Sequence, residues 1–293
     1  MEIERLVYGI YPKTNELRLH IGRWEKGTLP DSTLNNNIEM EKKALYAKMN
    51  EYNILHTDPL FNWYDIFRPL SLIIDGIELG PLTRFKETNT FYRIPLIDGL
   101  TGIAIDPLDF SPLNENPPLP LYLEDDENFA AFLPSPLSFY KMSKTDIKYN
   151  DFEKKLEILY SKILKLYRTK KLVLYDPLPY NENDVLDLSL FANYEISLVT
   201  TGKVYKNNIR QKIHSMVVDY NDNNIGISKK LSEVPGIKIV DGYNTGIENA
   251  DKLKAQLKSL NSDKILVSHS EYMDFLPRII ADKKIELISR IGE

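Results

Sequence analysis

Eight short apolar runs, most of them separated by stretches with helical spacing, constrain this 293-residue chain more than any other feature. The runs are residues 5–10, 53–57, 128–133, 172–176, 196–201, 215–220, 237–241 and 264–269. Each is short, largely apolar and closed by turn-forming residues, as expected of strands buried on both faces. Between them, apolar residues recur with helical period. Leu17, Ile21 and Trp24, closed by Gly27, predict one helix, and Leu34, Ile38, Leu45 and Met49, begun near Pro30-Asp31, predict a longer one. Phe152, Leu156, Leu159, Ile163, Leu166 and Tyr167 predict another, as do Ile247, Leu253, Leu257 and Leu260. Eight strands alternating with helices predict a closed α/β barrel of the (β/α)₈ (TIM) type over residues 1–293, with extra N-terminal helices. No glycine-rich phosphate fingerprint follows any of the strands, which argues against an open dinucleotide-binding sheet.

Residues 76–127 break the rhythm with many prolines, the run Pro117-Pro118-Leu119-Pro120 and the acidic cluster Glu124-Asp125-Asp126-Glu127. They read as a loop or hairpin inserted after strand two, and such insertions tend to carry function. The formal net charge of −5 comes from intermingled acids and bases, so no basic stripe offers a nucleic-acid surface. The N-terminus lacks the apolar core of a signal peptide and no run is long enough for a membrane span, so the expected location is cytoplasmic, with no membrane partner. The sequence has no cysteine and only four histidines, so sulfur-rich zinc sites and covalent thiol chemistry are excluded for this chain.

In such a barrel, chemistry sits at the C-terminal ends of the strands. Residues there that carry acid–base or hard-metal potential are His56 with Asp58, and Asp219 with Glu271. His56 and Asp58 read more readily as a strand-end histidine and a turn aspartate before Pro59. His20 and His214 fall within or beside helical pattern, and His269 ends the eighth strand.

The order of motifs resembles the cobalamin-independent methionine synthase family, which transfers a methyl group from a folate-type carrier to homocysteine. The resemblance runs through Tyr8-Gly9-Ile10-Tyr11-Pro12, Asn15-Glu16-Leu17-Arg18, His56-Thr57-Asp58 and Trp63-Tyr64-Asp65-Ile66-Phe67-Arg68-Pro69. It continues through Leu82-Thr83-Arg84-Phe85 and Thr88-Asn89-Thr90-Phe91-Tyr92-Arg93-Ile94-Pro95, the most specific block. Pro136-Leu137-Ser138-Phe139, Met142-Ser143-Lys144, Asp176-Pro177, Val240-Asp241-Gly242-Tyr243-Asn244, Leu266-Val267-Ser268 and Leu276-Pro277 complete it.

Members of that family have two similar barrels, of which the C-terminal one carries zinc and the N-terminal one has lost it. The resemblance puts Leu198 at the zinc-binding histidine, Thr200 at the first cysteine, Asp219 at the glutamate and Glu271 near the second cysteine. This set has no soft ligand and cannot activate a thiol through a sulfur-bound zinc. Ile10 replaces a serine, and Tyr175-Asp176-Pro177 replaces the Asp-Glu-Pro that faces homocysteine, so a buried zwitterion would lose polar partners. Met142 stands where the catalytic barrel has a tryptophan beside the pterin. The Asn15-Glu16-Leu17-Arg18 turn corresponds to one that contacts the carrier's polyglutamate tail, with Arg18 keeping one positive charge and Lys13 offering another. Arg18 and Lys13 read equally as solvated helix residues.

The resemblance therefore implies a zinc-less accessory barrel that works with a separately encoded zinc-bearing barrel. It would bind no cofactor of its own, contribute contacts to a methylated folate or pterin carrier, and offer aromatic loops around Tyr64, Tyr92 and Arg93 to its partner. The alternatives are an independent enzyme using His56, Asp58, Asp219 and Glu271, or a regulatory barrel that senses a pterin or methionine.

Overall fold

The computed structural model describes residues 1–63, 65–85, 90–103, 126–167 and 169–291. The chain begins with strand β1 (Glu2–Val7), helices α1 (Asn15–Glu25) and α2 (Asp31–Glu51), the two-residue strand β2 (Leu55–His56) and helix α3 (Phe67–Ile73). A long antiparallel hairpin follows, β3 (Ile74–Phe85) with β4 (Thr90–Ile103). The chain then runs through β5 (Ala131–Pro134), α4 (Pro136–Lys141), β6 (Lys144–Thr145), α5 (Tyr149–Leu164), β7 (Lys171–Tyr175) and β8 (Glu195–Val199). It ends with β9 (Ile213–Asp219), α6 (Asp222–Leu231), β10 (Ser232–Val240), α7 (Ala250–Ser259), β11 (Lys264–His269) and α8 (Arg278–Arg290).

Eight strands form one parallel sheet in the order β2-β1-β11-β10-β9-β8-β7-β5. Its two ends meet through a parallel bridge between His56 and Phe129. There the His56 N–H donates to the Asn128 carbonyl at 2.8 Å, and the Ala130 N–H donates to the His56 carbonyl at 2.8 Å. The sheet is therefore a closed (β/α)₈-type barrel. Its strands are the eight apolar runs, buried as parallel strands must be when helices cover them from outside. Among the described residues, no helix is long and apolar enough to cross a membrane.

Polar caps start several of the helices where the chain leaves a strand. Thr14, Ser135, Asn221 and Asn249 accept from the backbone N–H of Leu17, Ser138, Asn224 and Lys252. Each such cap is worth about 1 kcal/mol. The Asn249 cap sets the start of α7 later than its apolar spacing predicts and leaves Ile247 exposed. Helix α5 likewise stops at Leu164, so Leu166 and Tyr167 lie in the turn beyond it. His214, expected in or beside a helix, is in β9, where its imidazole pairs with Glu4 at 2.8 Å.

The hairpin β3–β4, joined along its edge by β6, occupies the first half of the segment read as an insertion. The proline run 117–120 and the acids Glu124 and Asp125 lie outside the described residues, as do Tyr64, Thr88 and Asn89. The hairpin follows α3 on the side of the barrel where the strands end, which brings Leu82 and Phe91 to the rim of a cavity at the barrel mouth.

Candidate functional site at the barrel mouth

The cavity occupies about 430 Å³ and collects residues from the C-terminal ends of several strands, as expected for this fold. Ile10 comes from the loop after β1, Asp65 to Arg68 from the region after β2, and Met142 from the turn after α4. Tyr175 ends β7 and Pro177 follows it, Tyr243 follows β10, and Glu271, Tyr272, Asp274 and Phe275 follow β11. The hairpin adds Tyr92 and Arg93. Aromatic rings and carboxylates therefore share one surface.

Two glycines let the β11 loop press against its neighbours. Gly9 has a φ of +74°, and a Cβ there would stand 2.2 Å from the Tyr272 ring. A Cβ on Gly242 would stand 2.3 Å from the Glu271 carbonyl oxygen. Any side chain at either position would collide with the β11 loop. Beneath it, Tyr272 packs on Tyr175 with ring centroids 4.9 Å apart, and Tyr8 stacks on His269 at 4.4 Å. Met273 is buried and ties the middle of the loop to the core.

Several polar atoms on this surface have no hydrogen-bond partner although water cannot reach them: Arg68 Nε, Tyr272 Oη and Asp274 Oδ1. Such atoms are rare in folded proteins and each costs about 1–3 kcal/mol, and all three belong to side chains that line the cavity. Burial pushes the Asp274 carboxyl up to about 6, against the pull of backbone N–H groups and the Lys13 ammonium. Burial also raises Glu271, with Asp219 and Asp241 adding to the rise, while the Lys238 ammonium and the Tyr175 hydroxyl, 3.3 Å away, oppose it. Asp65 is raised by burial too, but its carboxylate accepts the backbone N–H groups of Phe67 at 2.9 Å and Arg68 at 2.7 Å and so caps α3.

A second cavity of about 370 Å³ adjoins the first, sharing Ile10 and Asp274 with it. Lys13, Arg18 and Trp63 line it, and Trp63 Nε1 is another buried donor without a partner. Of the residues read as carrier contacts, the structure brings only Lys13 and Arg18 to this groove. Asn15 and Glu16 are exposed in the first turn of α1, and Leu17 is buried beneath it. Burial lowers the Lys13 ammonium, partly offset by Asp274.

The other predicted residues are spread apart. Leu198 and Thr200 are fully buried, and the Thr200 hydroxyl donates to the Val217 carbonyl at 3.2 Å. Asp219 accepts the Gly202 N–H at 2.6 Å and lies 3.1 Å from Lys238 Nζ. Glu271 alone of the candidate acid–base residues lines the main cavity. Asp58 is enclosed by Lys42, Tyr46 and the Leu60 N–H. His56 donates from Nδ1 to the Ile54 carbonyl at 3.1 Å, and its Nε2 stands 3.4 Å from Asp126. His269 accepts the Tyr8 N–H on Nε2 at 3.2 Å and donates from Nδ1 to the Glu271 carbonyl at 2.7 Å, which fixes its tautomer; burial lowers its pKa to about 4. It is a neutral girder of the β11 loop. Asp176 is turned inward to Ser135, Ser138 and Tyr180.

These residues do not fit the zinc that the resemblance implies for a catalytic barrel. An aliphatic side chain and a hydroxyl already committed to a carbonyl replace two of the ligands, and a buried ammonium lies against the third. No group of three or more histidines and carboxylates among the described residues could hold a metal ion. Lys238 is the residue that sequence reading missed. It is the buried charge of strand β10, and a lysine amid Ile237, Ile239 and Val240 is itself the signal of a polar interior position.

The fold and cleft define a barrel with a ligand-sized opening at its strand ends. No family model matches the sequence, and no curated protein matches it either. Among solved structures, it is similar to a protein from Listeria monocytogenes provisionally assigned as a vitamin-B12 independent methionine synthase. The TM-score is 0.59 at 16% identity over 97% of this chain and 96% of that one. It is also similar to a B12-independent methionine synthase from a Shewanella species, solved in complex with selenomethionine, with a TM-score of 0.60 at 10% identity over 90% and 89% of the two chains. At these identities the likeness is one of fold.

Proposed function

We propose that this chain is a zinc-less, methionine-synthase-like barrel that acts with a separately encoded zinc-bearing barrel in methylating homocysteine. The observation that carries this reading is a complete barrel with an open cleft whose ligand positions hold Leu198, Thr200 and a Lys238–Asp219 ion pair. Thiol activation then belongs to the partner. This barrel's part is contact with the methylated carrier and with the partner surface. For a folate or pterin carrier, Lys13 and Arg18 would face its acidic tail, and Met142 with Ile10 would face its ring. Leu82 and Phe91 are apolar and 62% and 56% exposed at the cavity rim, which suits a surface that another barrel covers.

The test is co-purification of the tagged chain from its source cells, followed by methyl transfer to homocysteine with and without it. The expected result is a zinc-bearing barrel in the eluate whose turnover falls when this chain is withdrawn. A partner of undiminished activity without it would refute the accessory role. So would one equivalent of zinc in this chain purified alone.

A further inference from the structure

We propose that the β11 loop and the rings packed on it form a site for a small methylated organic cation, a quaternary ammonium or a tertiary sulfonium. This goes beyond the accessory role and does not depend on a partner barrel. In the sequence Glu271-Tyr272-Met273-Asp274-Phe275, four of five side chains line the cavity and the fifth, Met273, is buried as an anchor. Acid and aromatic residues thus alternate along one wall. Phe275 stacks on Tyr243 with centroids 5.8 Å apart and planes 23° from parallel, and the two rings remain 56% and 41% exposed. Tyr272 and Tyr175 pack at 4.9 Å deeper in the cavity.

The charges divide by the element that carries them. Glu271 and Asp274 are on the aromatic side, with Asp219 and Asp241 adding negative field near Glu271. The cations facing them are Lys238, already 3.1 Å from Asp219, and Lys13 at the border of the adjoining groove. Arg68 and Arg93 are carried by α3 and the hairpin, where Asp65 also lies, and Arg93 donates to the Gly80 carbonyl. The β11 wall therefore has two carboxylates, one of them with the unpartnered Oδ1 of Asp274, beside ring faces.

That combination selects a particular cation. Ring quadrupoles attract positive charge but offer no lone pairs, so they favour a weakly hydrated methylated onium over a hard metal ion. A hard metal also needs more oxygen ligands than two carboxylates supply. Methyl groups add apolar contact with Phe275 and Tyr243, while Asp274 and Glu271 compensate the charge at short range.

Calorimetry at pH 8 with choline, with trimethylsulfonium and with 3,3-dimethylbutan-1-ol tests the assignment, because the alcohol copies the shape of choline with carbon in place of the charged nitrogen. Both onium probes are expected to bind, and the neutral alcohol about tenfold more weakly than choline or not at all. Asp274→Asn and Tyr243→Leu should each weaken choline by about three- to tenfold without lowering the unfolding midpoint. Phe275→Leu is the second aromatic variant should Tyr243→Leu fail to fold. Equal affinity for choline and its neutral copy overturns the proposal. So does failure of both onium probes to bind, or unchanged choline affinity in the folded Asp274→Asn protein.

Discussion

Two aspartates near the strand ends of this barrel, one buried and one half-buried, have opposite surroundings. Asp58, between the barrel and α2, meets the Lys42 ammonium at 2.9 Å, the Tyr46 hydroxyl at 3.0 Å and the Leu60 N–H at 2.7 Å. Asp274, at the cavity, has one oxygen without a partner, and burial pushes its carboxyl up to about 6. Asp58 has spent its capacity on the fold, whereas Asp274 has an oxygen that the fold leaves unpaired. The chemical type of a residue is the same in both places. Its unspent hydrogen bonds are what separate the carboxylate enclosed by the fold from the one that lines the cavity.

The largest effect should come from breaking the saturated site. Lys42→Ala leaves Asp58 charged and enclosed, and urea unfolding is expected to show a loss of about 3–5 kcal/mol. Replacing both partners, Lys42→Met with Asp58→Leu, removes the stranded charge but leaves the Tyr46 hydroxyl and the Leu60 N–H without their acceptor, so only part of the loss should be recovered. Asp274→Asn should instead raise stability at pH 8, because it removes an imperfectly compensated charge. The sign follows from linkage: a carboxyl raised in the folded state costs stability above pH about 6, and the cost disappears as pH falls below its ordinary value of 3.8. The gain should therefore fade by pH 4. A Lys42→Ala loss under 1 kcal/mol would erase the contrast between the two sites.

His269 sharpens the comparison from beneath the cavity-lining loop. Its folded pKa is about 4 against an ordinary value of 6.5, so the unfolded chain takes up a proton that the native state refuses. Its neutral form is fully compatible with the fold above pH about 6.5, and stability is lost progressively as pH falls towards 4, by about 3 kcal/mol in all. His269→Gln should flatten that window in denaturant titrations run from pH 7 to pH 4. An unchanged slope would mean that the stacking on Tyr8 does not enclose the imidazole as described.

The barrel was legible in the sequence because burial on both faces forces parallel strands to be continuously apolar, and all eight such runs appear in the closed sheet. Boundaries were less legible, because caps such as Asn249 and the Phe129 bridge to a two-residue strand follow local hydrogen bonds rather than periodicity. The order of the site along the chain was visible, and Ile10, Met142, Tyr175 and Glu271 do meet in one cavity. Which carboxylates remain unsatisfied was not visible. Asp58 and Asp274 each follow a strand, and only the distant partners Lys42 and Tyr46 distinguish them. Lys238 illustrates the same limit. Its position in β10 was readable, but its ion pair with Asp219 depends on the register of β9 against β10.

Lys238→Met should have a smaller effect than either change above. Asp219 retains the Gly202 N–H and is 37% exposed, so removing the ammonium leaves no stranded charge in the interior. About 1 kcal/mol or less is expected in urea unfolding. A loss as large as that of Lys42→Ala would show that the β9–β10 pair is as saturated as Asp58, and the mouth would then be a second structural girdle.

Arg18→Ala should affect stability least, yet it discriminates between the two uses of a charged group. Arg18 is an exposed residue of α1 whose helix is held by the Thr14 cap and by Leu17 beneath it, so truncation should change stability by no more than about 0.5 kcal/mol. Its position on the groove that adjoins the main cavity gives it a separate role. If an acidic carrier tail lies there, Arg18→Ala should weaken a polyglutamylated carrier by several-fold, by roughly 1 kcal/mol, and leave a tail-less analogue unchanged. Raising the salt concentration should shrink the difference, because an exposed charge pair is screened. Equal binding of both carriers by the wild-type and Arg18→Ala proteins would return Arg18 to the class of solvated helix residues. Lys13, buried deeper in the groove and next to Asp274, would then be the remaining cation for which a ligand role could be argued.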